Sequence, residues 1–282
     1  MGSRAIKTSS GYDLIRLMVG SEGTLGIVTR ATLRLRGLPP DYLTIVAVFP
    51  TVSEASEAVG DIMRYGLSPS ALELMDEAVV AEINHDRMME MEERPMLFLE
   101  FHNVSMSALQ IQYQMVESIL KEHSVMRIQS DFGADERTRL WEVRHGALES
   151  IKRNHPGCSV LLIDTCVPVS RFAEMVGKAK NAVSVERVKG FFWGHAGDGN
   201  LHLGLMYDAS APEEREAVMK VNRAVVELSI AAGGTCTGEH GVGMGKLLFM
   251  EAEHGKALDY MRRIKKVLDP KGILNPGKVL PE

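Results

Sequence analysis

The chain has 282 residues, enough for one large or two small domains, and its 45% hydrophobic and 24% charged content is that of an ordinary globular protein. A net charge of −5 without any run of Lys or Arg excludes a nucleic-acid surface. No apolar stretch reaches the length of a membrane span and none opens the chain as a signal region. The three widely spaced cysteines (Cys158, Cys166, Cys236) exclude a disulfide framework and predict a reducing, cytoplasmic setting.

The first 40 residues differ from the rest. Gly20-Ser21-Glu22-Gly23-Thr24-Leu25-Gly26 is a glycine-rich loop, and the β-branched alternation that follows predicts a strand over 27–35. One strand cannot form a sheet alone, so it must belong to something larger. Gly37 with Pro39-Pro40 ends the segment. From Leu43 onward, strands are predicted over 43–49, 71–75, 96–102, 125–129, 159–164, 188–193 and 201–207. Helices are predicted over 51–65, 76–84, 107–121, 135–153, 169–183 and 212–232. A last helix over 251–267 is stopped by Asp269-Pro270 and Gly272, leaving an extended tail. The paired β-α-β rhythm predicts an α+β fold of ferredoxin-like, split-βαβ type, an antiparallel sheet with helices on one face. No repeat of fixed short period and no low-complexity segment is present.

Chemistry concentrates in two loops. Gly194-His195-Ala196-Gly197-Asp198-Gly199-Asn200-Leu201-His202 sets two imidazoles seven positions apart across a strand–loop–strand. Thr237-Gly238-Glu239-His240-Gly241 adds a Glu-His pair. Together they offer three ligands for zinc, manganese or iron, with a coordination position left for substrate, and one histidine over for proton transfer. His195 alone would read as a residue ending a buried strand and GDGN as a turn; both loops together read as a site. Gly241-Val242-Gly243-Met244-Gly245-Lys246 is no Walker loop, because His240 and Leu247 stand where that motif needs Gly and Ser/Thr. Cys236 reads as a small buried hydrophobe rather than a fourth ligand.

Six stretches in one order carry a family likeness: GYDLIRLMVGSEGTLGIVT (11–29), LWEVRHG (140–146), IDTCVPVS (163–170), FFWGHAGDGNLH (191–202), GGTCTGEHGVGMGK (233–246) and LDPKGILNPGKVL (268–280). They resemble the FAD-linked oxidases of the vanillyl-alcohol-oxidase type, and within them the D-lactate dehydrogenases with cytochrome or quinone acceptors. D-2-hydroxyglutarate dehydrogenases and the glycolate oxidase flavoprotein subunit are close relatives of these. The resemblance implies that residues 1–40 are a C-terminal remnant of an FAD-binding domain, 41–270 a substrate or cap domain with a metal site, and 271–282 a tail returning to the flavin domain. FAD would then be held by Gly20, Ser21, Glu22, Gly23, Thr24, Gly26, Ile27 and Asn275.

The same resemblance makes His195, His202 and Glu239 the metal ligands, His240 the catalytic base and Arg144 the grip on the substrate carboxylate. A rigid guanidinium fork suits that last task, although by itself Arg144 reads as a helix-surface residue. The implied reaction is oxidation of D-lactate to pyruvate with hydride transfer to FAD. Electrons would pass on to a quinone, cytochrome c or an electron-transfer flavoprotein, and the protein would be cytoplasmic or peripheral at the inner face of a membrane.

Two departures from the family pattern bear on this. The flavin-binding half that precedes Gly11 in the family is missing, so the chain is expected to be the C-terminal part of a longer protein, inactive alone and prone to homo-oligomerise. Leu161-Leu162-Ile163-Asp164 lacks the basic residue, and Gly204 the polar side chain, with which hydroxyglutarate relatives hold a second carboxylate. Glycolate or D-2-hydroxyglutarate as substrate, a truncated non-redox binding module and a flavin-free metallohydrolase are the competing readings.

Overall fold

The computed structural model describes residues 1–87 and 90–281. They divide into two compact units, Met1–Arg36 with Glu239–Glu282, and Gly37–Gly238. The boundary between the units, Gly238 to Glu239, falls within the second glycine-rich loop, 237–241.

The chain opens with a single-turn helix α1 (Leu14–Met18), capped by the Asp13 side chain accepting from the Arg16 N–H at 3.1 Å. The strand expected over 27–35 does not form. Ile27, Val28, Leu33 and Leu35 are exposed, because β-propensity needs a partner strand to take up the backbone groups and none among the described residues does so.

The larger unit begins with β1 (Asp41–Val48) and α2 (Val52–Arg64), whose N-cap Thr51 accepts from the Glu54 N–H at 3.3 Å. Val52, Ala55, Val59 and Ile62 form the buried stripe of α2. β2 (Ala71–Met75), α3 (Glu77–Arg87), β3 (Met96–Asn103), α4 (Met106–Glu122) and β4 (Arg127–Asp131) complete the first half. Two helices, α5 (Ala134–His145) and α6 (Ala147–Asn154), lead into β5 (Ser159–Cys166), α7 (Phe172–Val185), β6 (Lys189–Gly194), β7 (Asn200–Tyr207) and α8 (Pro212–Ala231).

The seven strands form one antiparallel sheet in the order β4-β1-β3-β2-β6-β7-β5. The first four, β4-β1-β3-β2, have the strand order of a ferredoxin-like βαββαβ unit, as expected. The other three, β6-β7-β5, repeat that order without its fourth strand. In that strand's place the chain after α8 makes one antiparallel bridge, Thr235 to Cys166 of β5. The halves join where β2 pairs with β6, Leu74 opposite Gly194 and Met75 opposite Trp193. This doubling is topological, which is why no repeat is visible in the sequence.

Helices α2, α4, α7 and α8 form the expected layer. A second group, α3, α5 and α6, covers the other face, where Val79, Val80, Ile83, Val143, Ala147 and Ile151 pack on Met75, Met96, Phe98, Phe191 and Trp193. The single helix predicted over 135–153 is broken at Gly146. A Cβ there would lie 1.6 Å from the Arg87 guanidinium, a neighbour 59 positions earlier that local periodicity cannot reveal. Likewise the helix predicted over 251–267 breaks at Gly255 (φ 49°) into α9 (Met250–His254) and α10 (Ala257–Leu268).

Asp76 ties β2, α3 and β6 together. Its carboxylate accepts from the Val79 N–H at 3.0 Å, its own N–H donates to the Phe192 carbonyl at 2.9 Å, and Lys180 Nζ lies 3.6 Å away. Burial pushes its carboxyl up to about 6 despite the lysine. The folded state therefore holds this proton more tightly than the unfolded chain. Stability is fullest below the unfolded value of 3.8 and falls as pH rises towards 6, by at most about 3 kcal/mol. Asp76→Asn keeps the helix cap and should remove that portion of the decline. Urea unfolding at both ends of the window checks this; an unchanged pH slope in the variant contradicts it.

Candidate functional site

The strand register puts Glu73, Glu100, Asp164 and His202 on one face of the sheet, since Glu73 pairs with Phe98, Met75 with Trp193, and His202 with both Trp193 and Asp164. Such a row of charged residues in otherwise apolar strands is costly unless each finds a partner. Each does.

His195 leaves the end of β6 at a tight turn, where its carbonyl accepts from the N–H groups of Asp198 (3.0 Å) and Asn200 (3.2 Å). Gly199 closes the turn at φ 76°, and its carbonyl accepts from the Val167 N–H at 3.0 Å. The turn brings His195 and His202 together, with ring centroids 5.3 Å apart and planes at 84°. His195 Nδ1 meets Glu73 Oε1 at 2.7 Å, and His202 Nδ1 lies 3.5 Å from Asp164 Oδ1. Asp164 is wholly buried and also accepts from Asn200 Nδ2 (2.7 Å) and Thr237 Oγ1 (3.0 Å). A Cβ on Gly238 would fall 2.0 Å from Asn200 Nδ2 and 2.9 Å from Asp164 Oδ1, so only glycine lets the chain pass this close.

Arg144 reaches the same cluster from α5. Its Nε (2.8 Å) and Nη2 (2.7 Å) both donate to Glu73 Oε2, and Nη2 also lies 3.3 Å from His195 Nδ1. Burial pushes the Glu73 carboxyl up, but the His195 hydrogen bond and the Arg144 charge outweigh it and hold it below the usual carboxylate range. Beside this stands a second buried acid. Glu100 accepts from Trp141 Nε1 and pairs with His102 and with Arg137 Nε (2.9 Å), and the Arg137 guanidinium stacks 5.0 Å over Tyr42. Burial raises its carboxyl, and these hydrogen bonds more than reverse the effect.

Glu239 and His240 belong to the smaller unit, with His240 Nε2 3.6 Å from Glu239 Oε1 and both side chains half exposed. In that unit the Glu22 carboxylate accepts from the N–H groups of Val242 (2.6 Å) and Gly243 (2.9 Å), and Asn275 Nδ2 donates to the Glu22 carbonyl at 2.5 Å. Gly20 and Gly23 take positive φ (79° and 74°), Thr24 is buried, and Lys265 Nζ ties the Thr24 carbonyl (2.7 Å) to that of Leu274 (2.6 Å). The structure thus links the 20–26 loop, the 241–243 loop and the tail, while Ile27 points into solvent.

Sequence reasoning missed Glu73, Asp164 and Glu100. The available signal was an acid at an inward position of an apolar strand: Glu73 between Leu72 and Leu74, Asp164 after Ile163, Glu100 between Leu99 and Phe101.

A family model described as FAD linked oxidases, C-terminal domain, matches residues 38–279. The chain belongs to this family. Among its relatives, the mitochondrial D-lactate dehydrogenase [cytochrome] of Arabidopsis thaliana is 39% identical, over 99% of this chain and 49% of that protein. D-lactate dehydrogenase [cytochrome] 1, mitochondrial, of Saccharomyces cerevisiae is 34% identical over 98% and 48%, and glycolate oxidase subunit GlcD of Bacillus subtilis 34% over 99% and 59%. This FAD-linked oxidase domain therefore spans about half the length of these relatives. Its fold is also that of 4-ethylphenol oxidase from Gulosibacter chungangensis (TM-score 0.63, 15% identity, 86% of this chain and 55% of that one). An alkyldihydroxyacetonephosphate synthase matches at TM-score 0.60 and 17% identity over 96% and 50%.

Proposed function

We propose that this domain serves an FAD- and metal-dependent D-2-hydroxy-acid dehydrogenase, with D-lactate as substrate. One observation carries the reading: a single buried carboxylate, Glu73, binds both His195 and Arg144, the residues assigned to the metal and to the substrate carboxylate. The donor set fits a divalent metal. His195 and His202 each have Nδ1 towards a buried acid, the arrangement that orients a metal-binding histidine through its other nitrogen. Glu239, next in the chain after Gly238, would add the carboxylate of a two-His, one-carboxylate set. When bound, the metal supplies Lewis acidity towards the substrate hydroxyl. FAD would lie against Gly20, Ser21, Glu22, Gly23, Thr24, Gly26, Ile27 and Asn275. A Cβ at Gly20 would meet no atom within 4 Å, which leaves that backbone approachable. When bound, the flavin supplies the hydride acceptor.

The protein's own groups then have separate tasks. Arg144 fixes the carboxylate of the 2-hydroxy acid and thereby the face it presents. His240 takes the hydroxyl proton as general base. Substrate length is limited beside His202: the Trp193 ring lies 3.2 Å from where a Gly204 Cβ would be, and β5 adds only Val160, Leu162 and Asp164 to that face. This favours a short monocarboxylate, D-lactate or glycolate, over D-2-hydroxyglutarate. We take a cytochrome as the electron acceptor, on the names of the plant and yeast relatives, with a quinone or an electron-transfer flavoprotein as alternatives. No helix among the described residues is long and apolar enough to cross a membrane, and no disulfide joins any of the three cysteines. The reading keeps a cytoplasmic setting or peripheral attachment at the inner face of a membrane; several relatives carry "mitochondrial" in their names.

In the flavin-loaded holoenzyme, Arg144→Lys should keep the charge but lose the fork, costing about 1–3 kcal/mol, roughly 5- to 150-fold in kcat/KM for D-lactate. Flavin content should stay constant. Loss of flavin with unchanged kcat/KM per bound flavin would give Arg144 a structural role and remove it from the substrate site.

A further inference from the structure

We propose that Glu73 is the positioning residue of this site, fixing which nitrogen of His195 faces a ligand and holding Arg144 in step with it. The inference rests on the reading of His195 as a metal ligand and goes further by assigning a role to a residue outside the ligand set. A carboxylate only accepts hydrogen bonds, so at 2.7 Å from Glu73 Oε1 the His195 Nδ1 carries the hydrogen and the lone pair sits on Nε2. Arg144 Nη2, 3.3 Å from the same Nδ1, would ask for the opposite tautomer. The shorter contact to a charged acceptor prevails, because that guanidinium edge already has Glu73 Oε2 at 2.7 Å. Oxygen by oxygen, Glu73 divides its work, Oε1 for the histidine and Oε2 for the arginine.

Stability is a poor explanation for the arrangement. A buried ion pair is weak evidence for stability, since desolvation offsets most of the attraction, and Met75, two positions along β2 on the same face as Glu73, is an apolar residue fully buried there. What the carboxylate provides is a definite orientation for two side chains from distant elements, β6 and α5.

The isosteric Glu73→Gln makes the inference testable. Arg144 has two N–H donors aimed at one oxygen, so it should claim the amide oxygen of the glutamine and turn the NH2 towards His195. The ring must then accept at Nδ1, and its hydrogen moves to Nε2, the nitrogen needed for the metal. Long-range 15N–1H spectra of the metal-free chain, at alkaline pH where the ring is neutral, should show the Nδ1–H form in the wild type and the Nε2–H form in the variant. Calorimetric titration with Zn2+ should show affinity reduced roughly 10- to 100-fold in Glu73→Gln, with recovery in Glu73→Asp. Glu82→Gln, which removes another carboxylate–histidine pair between α3 and His155, should leave Zn2+ affinity unchanged and so controls for general loosening.

A variant that keeps both the wild-type tautomer and the wild-type Zn2+ affinity overturns the role of Glu73 while leaving the metal reading intact. A wild type already in the Nε2–H form overturns it as well. If the wild type binds no Zn2+ but its tautomer is Nδ1–H and inverts in Glu73→Gln, the positioning role holds and the metal reading fails.

Discussion

Replacing His195 and His202 together with alanine should abolish divalent-metal binding and, in the holoenzyme, stop 2-hydroxy-acid turnover while flavin content is unchanged. The two imidazoles are neighbours at 5.3 Å between ring centroids, and each is backed by a buried acid, Glu73 or Asp164. Without them one carboxylate ligand remains, too few for zinc or manganese. Affinity should fall by more than the 10- to 100-fold that loss of an outer-shell partner costs, that is by more than about two orders of magnitude. The structural cost is smaller. His202 is buried beside Trp193, so its truncation leaves a cavity worth about 1–3 kcal/mol, whereas His195 is only half buried. Turnover surviving in a folded, flavin-loaded double variant would separate the histidines from the chemistry.

The largest single-residue effect on stability should come from Gly199→Ala. Its φ of 76° already disfavours any side chain, and the new Cβ would lie 2.0 Å from the Val167 carbonyl oxygen, which belongs to backbone and cannot rotate away. The chain must shift, the 3.0 Å bond from the Val167 N–H to the Gly199 carbonyl breaks, and the turn carrying His195 moves with it. We expect a loss of about 3 kcal/mol or more. Gly233→Ala is the matched control: φ there is 81°, but a Cβ would meet no atom within 4 Å, so only the backbone term of about 1 kcal/mol applies. Denaturant midpoints of the two variants measure the difference. Equal losses would mean that the close approach to Val167 has no consequence.

Much of this fold is legible because its signals are local. The alternation in 96–102 and 201–207 and the helical spacing in 51–65 and 107–121 each reflect one element burying one face, and the structure forms β3, β7, α2 and α4 there. The His195 and His202 loop is legible for the same reason, since seven residues of sequence contain its turn. What escaped depends on distant partners. Arg87 packs against Gly146 from 59 positions away, leaving no room for a side chain there, and Glu73 reaches His195 across 122 positions. Residues 27–35 have the opposite failing, a strand pattern with no partner among the described residues to make it a strand. Only the resemblance singles out Arg144; its ion pair with Glu73 follows from the packing of α5 on the sheet, against β1, which the pattern of 135–153 does not encode.

A metal held by His195 and His202 is central to the proposed function, and titrating the chain with Zn2+ and then Mn2+ in a calorimeter, wild type against His195→Ala/His202→Ala, tests it most directly. The prediction is saturable binding of one ion by the wild type and none by the folded double variant. Equal binding by the two proteins would contradict it.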